Sequence, residues 1–200
     1  MKSTKSKPRE RENIVDILKK LKRGPQIITP KDSGVIIAET GLRSGMKCID
    51  AGGGSGFMTI MLANIVAPEG KVYTYEVNPE FANIVKQNVK SCGLENIVTV
   101  KNKSAEEFRE KNLDLITLDM KGSENVVSKA YDALKKGGFL CIYSPHVEQQ
   151  KAAAENMIKA GFRHLKTIEN IQREWQLGTH SHPHPSGVMH TGFITIGRKI

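Results

Sequence analysis

The chain has 200 residues, a formal net charge of +9 and 38% hydrophobic residues. This length fits one domain with a sizeable core, and the absence of an apolar run of about 18 residues argues against a membrane span. Three cysteines are too few for a disulfide framework, and no apolar signal core follows the basic N-terminus, so we expect a cytoplasmic protein.

The positive charge is concentrated near the N-terminus. Residues 1–31 contain ten Lys or Arg and three Asp or Glu, which is a surplus of +7. A basic arm of this kind favours a polyanionic partner, nucleic acid first, although a solvated tail is the alternative. Apolar residues recur at helical spacing between 14 and 21, which predicts a short amphipathic helix. We therefore divide the chain into an arm with this helix, residues 1–25, and a main domain, residues 26–200.

After a helix at 31–40, the chain alternates apolar strands with helices from residue 46 onward. This alternation predicts an α/β fold, a parallel sheet with right-handed crossovers and helices on both faces. The last two strands, 162–173 and 190–197, have no helix between them, so we expect them to pair antiparallel at one edge. The other predicted strands are 46–51, 71–76, 97–101, 113–118 and 138–143, and the other predicted helices are 56–66, 79–91, 123–135 and 147–160.

A glycine-rich turn, residues 50–56, connects the first strand to the following helix, and Glu76 ends the second strand. This order is typical of a nucleotide-type cofactor lying across the carboxyl ends of parallel strands. Glycines allow a tight turn and a close approach of the backbone, and the acid accepts hydrogen bonds from ribose hydroxyls. The loop alone leaves the cofactor open. A nicotinamide fold would continue with a second mononucleotide half, for which this chain has no room.

The motif D-x-G-x-G-x-G in residues 50–56, followed by an antiparallel last strand, resembles the class I S-adenosylmethionine-dependent methyltransferases. This resemblance implies a Rossmann-like seven-stranded sheet with an antiparallel last strand and helices on both faces. It also implies S-adenosyl-L-methionine as the cofactor. The residues that the resemblance assigns to cofactor binding are Gln26, Gly52, Gly54, Ser55, Gly56, Glu76, Ser104, Ala105 and Asp119.

Four further segments are similar to those of tRNA adenine-N1 methyltransferases. They are Q-I-I-x-P-K-D at 26–32, Y-x-P-x-V-E-Q at 143–149, R-E-W at 173–175 and H-T-G-F at 190–193. The family methylates N1 of adenine in the tRNA T-loop at position 58, and archaeal members also modify position 57. The resemblance therefore implies tRNA as partner and, because family members are tetramers, a homo-oligomer.

The chain departs from this family at three places. Family members carry a small N-terminal β-rich domain that helps to grip tRNA, and here the basic helix stands in its place. Their fourth motif reads D-L-P-x-P-W, whereas residues 119–124 keep only the acid. The arginines of their R-P-x-x-R-M segment are replaced by His182 and Ser186, which removes two fixed charges that could contact RNA phosphate.

Asp119 is the candidate catalytic residue. Active sites of such sheets lie at strand carboxyl ends, and methylation of adenine puts positive charge on the base. A nearby carboxylate would stabilise that charge and take the N6 proton. The alternative is that Asp119 simply caps the following helix. Trp175 is a candidate for stacking on RNA, with buried packing as the alternative.

The histidines His180, His182 and His184 alternate along one predicted loop, which raises the question of a zinc site. Prolines interleave them and no cysteine pair accompanies them, so we expect no metal. We expect this loop to lie over the active site instead, in contact with RNA or cofactor.

Two other functions remain compatible with the sequence. One is a small-molecule methyltransferase of the precorrin, decarboxylating type, which shares the fold and lacks the added N-terminal domain. The other is a non-catalytic RNA-binding subunit of a tRNA methyltransferase, which would suit the altered fourth motif.

Overall fold

The computed structural model describes residues 13–24, 27–185, 187 and 189–200. Regular structure in this part of the chain comprises six α-helices, one short 3₁₀ helix (Ala105–Glu107) and nine strands. The helices are α1 (Ile14–Lys20), α2 (Pro30–Thr40), α3 (Phe57–Val66), α4 (Pro79–Ser91), α5 (Ser123–Ala133) and α6 (Val147–Ala160). The strands are β1 (Lys47–Ala51), β2 (Lys71–Tyr75), β3 (Val98–Lys101), β4 (Leu113–Leu118), β5 (Leu134–Ser144), β6 (Arg163–Glu169), β7 (Trp175–Gln176), β8 (His182–Pro183) and β9 (Phe193–Arg198).

Seven of these strands form one sheet in the order β3-β2-β1-β4-β5-β9-β6. The first five run parallel, and β9 is antiparallel to both of its neighbours, β5 and β6. The predicted fold class is confirmed, including the antiparallel last strand. The short strands β7 and β8 pair separately as a hairpin within the long connection between β6 and β9.

Two element boundaries differ from the sequence prediction by four residues, more than any of the others. Strand β5 begins at Leu134, four residues early, because Leu134 is buried and pairs with Leu113 before a bulge. Strand β6 ends at Glu169 rather than at residue 173, because Asn170 turns toward α2. There its side-chain amide donates to the Lys31 carbonyl at 2.8 Å.

The core consists of two apolar layers, one on each face of the sheet. Helices α1 to α4 contribute to one layer, and α5 and α6 contribute to the other. The apolar side of α1, with Leu18 and Leu21 each 7% exposed, joins the same cluster as α3. None of the helices in the described ranges is long and apolar enough to cross a membrane.

Strand register brings three predicted site residues to one edge of the sheet. The last residue of β1, Ala51, is level with the last residues of β2 and β4. The residues that follow, Gly52, Glu76 and Asp119, therefore leave the sheet side by side. This is the edge at which α/β proteins of this topology bind ligands.

Asn88, on α4, anchors the segment that follows α1. Its side-chain oxygen accepts a hydrogen bond from the Lys22 amide at 3.0 Å, and its Nδ2 donates to the carbonyls of Lys22 and Ser55 at 2.9 and 2.8 Å. Asn88 is only 3% exposed, so its bond to Ser55 is buried and its two bonds to Lys22 are partly shielded from water. One side chain thus ties the N-terminal segment to the glycine loop.

We predict that Asn88→Ala lowers the free energy of unfolding by about 2–3 kcal/mol, because it leaves the buried Ser55 carbonyl and two partly buried backbone groups of Lys22 without this partner. Urea denaturation followed by circular dichroism measures this change. Asn83→Ala on the exposed face of the same helix is the control and should change stability by less than about 0.5 kcal/mol. Equal midpoints for the two variants would contradict the anchoring role.

Candidate active site

The glycine loop packs directly against the end of β4. Gly52 has a φ of 81°, and a Cβ atom placed on it would lie 2.0 Å from the Asp119 carbonyl oxygen. The Gly52 amide donates to the carbonyl of Tyr75 at 3.0 Å, and the Asp119 amide donates to the carbonyl of Ala51 at 2.9 Å. A side chain at position 52 would therefore force the loop away from β4. This contact explains why the motif requires glycine there.

Asp50, the last-but-one residue of β1, holds together the elements that flank the glycine loop. It is 2% exposed, and its carboxylate accepts hydrogen bonds from the hydroxyls of Thr59 at 2.6 Å and Thr117 at 2.8 Å. Burial raises its pKa, which these two hydroxyl donors partly offset. Asp50 consequently joins β1, α3 and β4 beneath the site.

Glu76 orients the loop from the side of β2. One carboxylate oxygen accepts from the Gly54 amide at 2.8 Å, and the other accepts from the Asn78 amide at 2.9 Å. A carboxylate in this position can also accept hydrogen bonds from vicinal hydroxyls of a ribose, because each oxygen has more than one lone pair.

A cavity of about 470 Å³ opens between these strand ends. It brings together six of the nine residues predicted to bind cofactor: Gly52, Gly54, Glu76, Ser104, Ala105 and Asp119.

The other three predicted residues lie elsewhere. Ser55 lines a small adjoining cavity of about 20 Å³, and its hydroxyl accepts from the Gly24 amide at 3.0 Å. Gly56 caps α3 with a φ of 84°. Gln26 falls outside the described residues.

Ser104 caps a short 3₁₀ turn at the floor of the larger cavity. Its hydroxyl accepts from the Glu106 amide at 3.2 Å, and its own amide donates to the Glu107 carboxylate. A hydroxyl that accepts one hydrogen bond can still donate its proton. Ser104 is therefore able to donate to a ring nitrogen, a role that an ionised carboxylate could not fill.

Sequence reasoning missed several residues of the cavity wall: Tyr75, Val77, Phe81, Lys103, Met120 and Lys121. Most of them directly precede or follow a predicted site residue, so their position at a strand end was the available signal. The Tyr75 hydroxyl donates to Glu110 at 2.7 Å and accepts from Lys101 at 3.1 Å. Burial is the main cause that raises its pKa to about 12. This network holds the aromatic ring in the wall.

Asp119 lines both the larger and the small cavity and is partly buried. Burial raises its pKa to about 7, and the negative charge of Asp50 adds to the effect. A carboxyl group with this pKa can hold or release a proton near neutral pH, as a general base requires.

Three segments of the predicted motifs meet at Thr191. Its hydroxyl donates to buried Asp32 at 2.6 Å and accepts from Lys31 Nζ at 2.7 Å, and its carbonyl accepts from the Tyr143 hydroxyl at 2.7 Å. Lys31 Nζ also pairs with Asp32 at 2.7 Å. A Cβ atom on Gly192 would lie 2.5 Å from the Tyr143 ring, so the glycine is needed for this packing. Residues of the P-K-D, Y-S-P and H-T-G-F motifs are thus joined by one partly buried hydrogen-bond network, here named the Thr191 tie.

An open basin of about 860 Å³ lies beside this tie. Thr29 and Lys31 form one side, and Arg173, His184 and Met189 are among the residues of the other. Ile28, the residue before Thr29, lines the small cavity together with Asp119. The basin is therefore next to the small cavity, on the far side of residues 28–29, and Asp119 connects the small cavity to the cavity of about 470 Å³.

The histidine-rich loop forms part of this basin wall. His182 lies in β8, and the His184 amide donates to the Glu174 carbonyl at 2.8 Å. No three His, Cys, Asp or Glu side chains come together as metal ligands in the described ranges. Trp175 is 58% exposed on the β7–β8 hairpin, which is not the buried packing considered as an alternative. Ser186 is outside the described residues.

The strand order, the glycine loop and the acid after β2 define a class I S-adenosylmethionine-dependent methyltransferase fold. Residues 18–196 match the family model described as the GCD14 subunit of the tRNA methyltransferase complex, and the chain belongs to this family.

Similar proteins support the assignment. A tRNA (adenine(57)-N(1)/adenine(58)-N(1))-methyltransferase TrmI of Methanocaldococcus jannaschii is 36% identical, over 92% of this chain and 76% of the relative. A structure of an S-adenosylmethionine-dependent O-methyltransferase from Thermotoga maritima has a TM-score of 0.88 at 31% identity and covers 94% of this chain and 72% of its own. A tRNA (m1A58) methyltransferase TrmI from Aquifex aeolicus has a TM-score of 0.86 at 24% identity, with 95% and 77% covered, and shows the shared fold.

His190, which precedes the Thr191 tie, contacts the end of β6 and the segment after β5. Its Nδ1 is 2.6 Å from the Glu169 carboxylate and its Nε2 is 3.1 Å from the Pro145 carbonyl. Both neighbours are acceptors, so the ring satisfies both only when both nitrogens carry protons. The Glu169 bond is the main cause that raises the His190 pKa.

We predict that NMR titration places the His190 pKa above that of an unstructured histidine, and that Glu169→Gln lowers it. Because the pKa is raised in the folded protein, the contact is complete at low pH and is lost as pH rises through the His190 pKa. His164, also on the surface, serves as the control resonance and should not respond to Glu169→Gln. An unchanged His190 pKa in that variant would contradict the ion pair.

Proposed function

We propose that this chain transfers a methyl group from S-adenosylmethionine to N1 of an adenine in the T-loop of tRNA. The single observation that carries the proposal is the position of Asp119. Its carboxyl group, whose pKa burial raises to about 7, lines both the cofactor-sized cavity of about 470 Å³ and the small cavity that Ile28 shares, and Ile28 precedes Thr29 of the basin wall. Membership of the GCD14 family supports tRNA as the class of acceptor.

The cavity residues fit S-adenosylmethionine. Glu76 offers carboxylate oxygens for the two ribose hydroxyls, and the loop around Gly52 and Gly54 allows close approach of a ligand. Ser104 and Ala105 line the same cavity and would contact the adenine edge, and Phe81 adds an apolar side chain to its wall. When bound, the cofactor supplies an electrophilic methyl group on a sulfonium whose sulfur leaves as a neutral thioether.

Asp119 then acts on the acceptor base. Bond formation at N1 makes the adenine ring cationic, and a carboxylate in a partly buried site stabilises that charge. The same carboxylate accepts the proton that N6 releases, which leaves neutral 1-methyladenine. Besides this charge stabilisation and proton transfer, the site has to align N1 with the methyl carbon.

The basin beside the Thr191 tie is the place proposed for the acceptor nucleotide and its neighbours. It is open to solvent and wide enough for more than a single base, as a polymeric substrate requires. An adenine within a folded loop has to leave its stack to reach Asp119, as in other enzymes that modify bases. Arg173 in the basin wall is a cation that could contact a flanking phosphate.

We expect wild-type protein to form 1-methyladenosine on unmodified tRNA, and Asp119→Asn to reduce turnover by about 10²-fold or more while cofactor affinity stays within a few-fold. Asparagine keeps the shape but loses the charge and the proton-accepting oxygen. Nucleoside mass spectrometry measures the product, and calorimetry measures cofactor binding. Asp132→Asn, on the exposed surface of α5, is the control and should retain activity.

The same assay distinguishes the alternatives. Cofactor binding without any tRNA methylation would favour a small-molecule acceptor, and the absence of cofactor binding would favour a non-catalytic subunit. Methyl transfer to a ribose hydroxyl instead of N1 would also overturn the proposal.

The raised pKa of Asp119 predicts a pH dependence. Asp119 has to be ionised to act, so kcat/KM for S-adenosylmethionine at saturating tRNA should fall about tenfold per pH unit below about 7. In the pH profile of kcat, the acidic fall should begin at a lower pH, because a bound sulfonium cation favours the ionised carboxylate. Stopped or continuous assays from pH 5 to 9 test this, and a flat profile between pH 5.5 and 7.5 would contradict it.

A further inference from the structure

The segment from Asn13 to Gly24, here named the N-terminal strap, is fastened to the cofactor loop. Besides the Asn88 bonds to Lys22, the Gly24 amide donates to the Ser55 hydroxyl at 3.0 Å. Asn88 also holds the Ser55 carbonyl, so strap and loop share one buried anchor. The strap therefore has a fixed position relative to the site.

The outward face of the strap is cationic. Leu18 and Leu21 point into the core, whereas the four basic residues, Lys19, Lys20, Lys22 and Arg23, are exposed. Asp16 is the one acidic residue in the strap. Because the apolar side chains face the core and the basic side chains face solvent, the cationic side of the strap is open to a ligand.

Helix α4 extends the same cationic surface. Lys22 Nζ donates to the Gln87 side chain at 2.5 Å, which places α4 against the strap. Lys86 and Lys90 flank that contact and are exposed. Within the part of the chain that the structure describes, neither forms a salt bridge with a carboxylate. The strap and α4 together hold six Lys or Arg and two Asp or Glu, a surplus of +4.

This surface leads directly to the active site. A Cβ atom on Gly24 would lie 3.4 Å from the ring of Phe81, and Phe81 lines the cofactor-sized cavity. Farther along the chain, Ile27 and Ile28 line the small cavity with Asp119. A polyanion held on the strap would consequently lie alongside the entrance to the site.

We propose that the N-terminal strap and α4 form a phosphate-binding surface that holds tRNA beside the active site. The proposal rests on the proposed function, because that function supplies the polyanion. Exposed cations that neutralise phosphates release counterions, so such a surface contributes to affinity in a salt-dependent and sequence-independent way. It positions the RNA and leaves the choice of adenine to the basin.

The test uses the full chain with Lys86→Glu/Lys90→Glu, a pair that takes no part in docking the strap. We expect the Kd for tRNA to rise at least about tenfold at moderate salt, and the slope of log affinity against log salt to become shallower by about two. Turnover at saturating tRNA and the Kd for S-adenosylmethionine should stay within about twofold. Lys86→Gln/Lys90→Gln should show a smaller rise in Kd, and circular dichroism verifies that both pairs fold.

Lys151→Glu/Lys159→Glu is the matched control. It changes the charge by the same amount, but α6 packs on the opposite face of the sheet. The control should keep the tRNA Kd within about twofold. Equal losses in both pairs, or an unchanged tRNA Kd in the α4 pair, would overturn the proposal. Binding of the wild type to anionic vesicles but not to tRNA would overturn it as well.

The outcomes separate this inference from the proposed function. If the wild type methylates tRNA and the α4 pair has an unchanged KM for tRNA, the inference alone fails. If the wild type binds tRNA through this surface without methylating it, the inference stands and the proposed function alone fails.

Discussion

The buried carboxylate of Asp50 is the constraint on which the rest of the site depends. Its bonds to Thr59 and Thr117 fix α3 and β4 against β1, and this arrangement sets where the glycine loop and Asp119 emerge. The same charge helps to raise the pKa of Asp119, although burial is the larger cause. A neutral residue in place of Asp50 would therefore alter both the shape of the loop and the proton affinity of the catalytic candidate. Structure and chemistry are coupled here through a single charge.

Ionisation of Asp119 near neutral pH lowers the stability of the folded protein. Folding raises its pKa, so the folded protein favours the protonated form and holds a proton that the unfolded chain releases at lower pH. Stability contributed by this group is present at low pH and declines as pH rises toward about 7. The site thus keeps a group in an ionisation state that the fold disfavours, which is a common property of catalytic positions.

Much of the fold and part of the site followed from local sequence patterns. The apolar strands, the glycine loop and Glu76 were predictable because strand ends and tight turns have local signatures. The tie around Thr191 was not, because its partners, Asp32 and Tyr143, are far apart in the chain and no spacing rule connects them. The motifs at 26–32 and 190–193 suggested the acceptor only by resemblance. The structure shows that their Lys31, Asp32, Thr191 and Gly192 are joined in packing, which explains why such residue types occur together.

One stretch of backbone connects every part of the proposed reaction. Residues 22–24 contact the cofactor loop and α4, Ile27 and Ile28 line the cavity with Asp119, and Lys31 and Asp32 hold the loop that borders the basin. Ile28 lines the small cavity with Asp119, and the adjacent Thr29 lines the basin, so these two residues separate the two spaces. Their position explains why the 26–32 motif bears on both the reacting carboxylate and the acceptor side of the site.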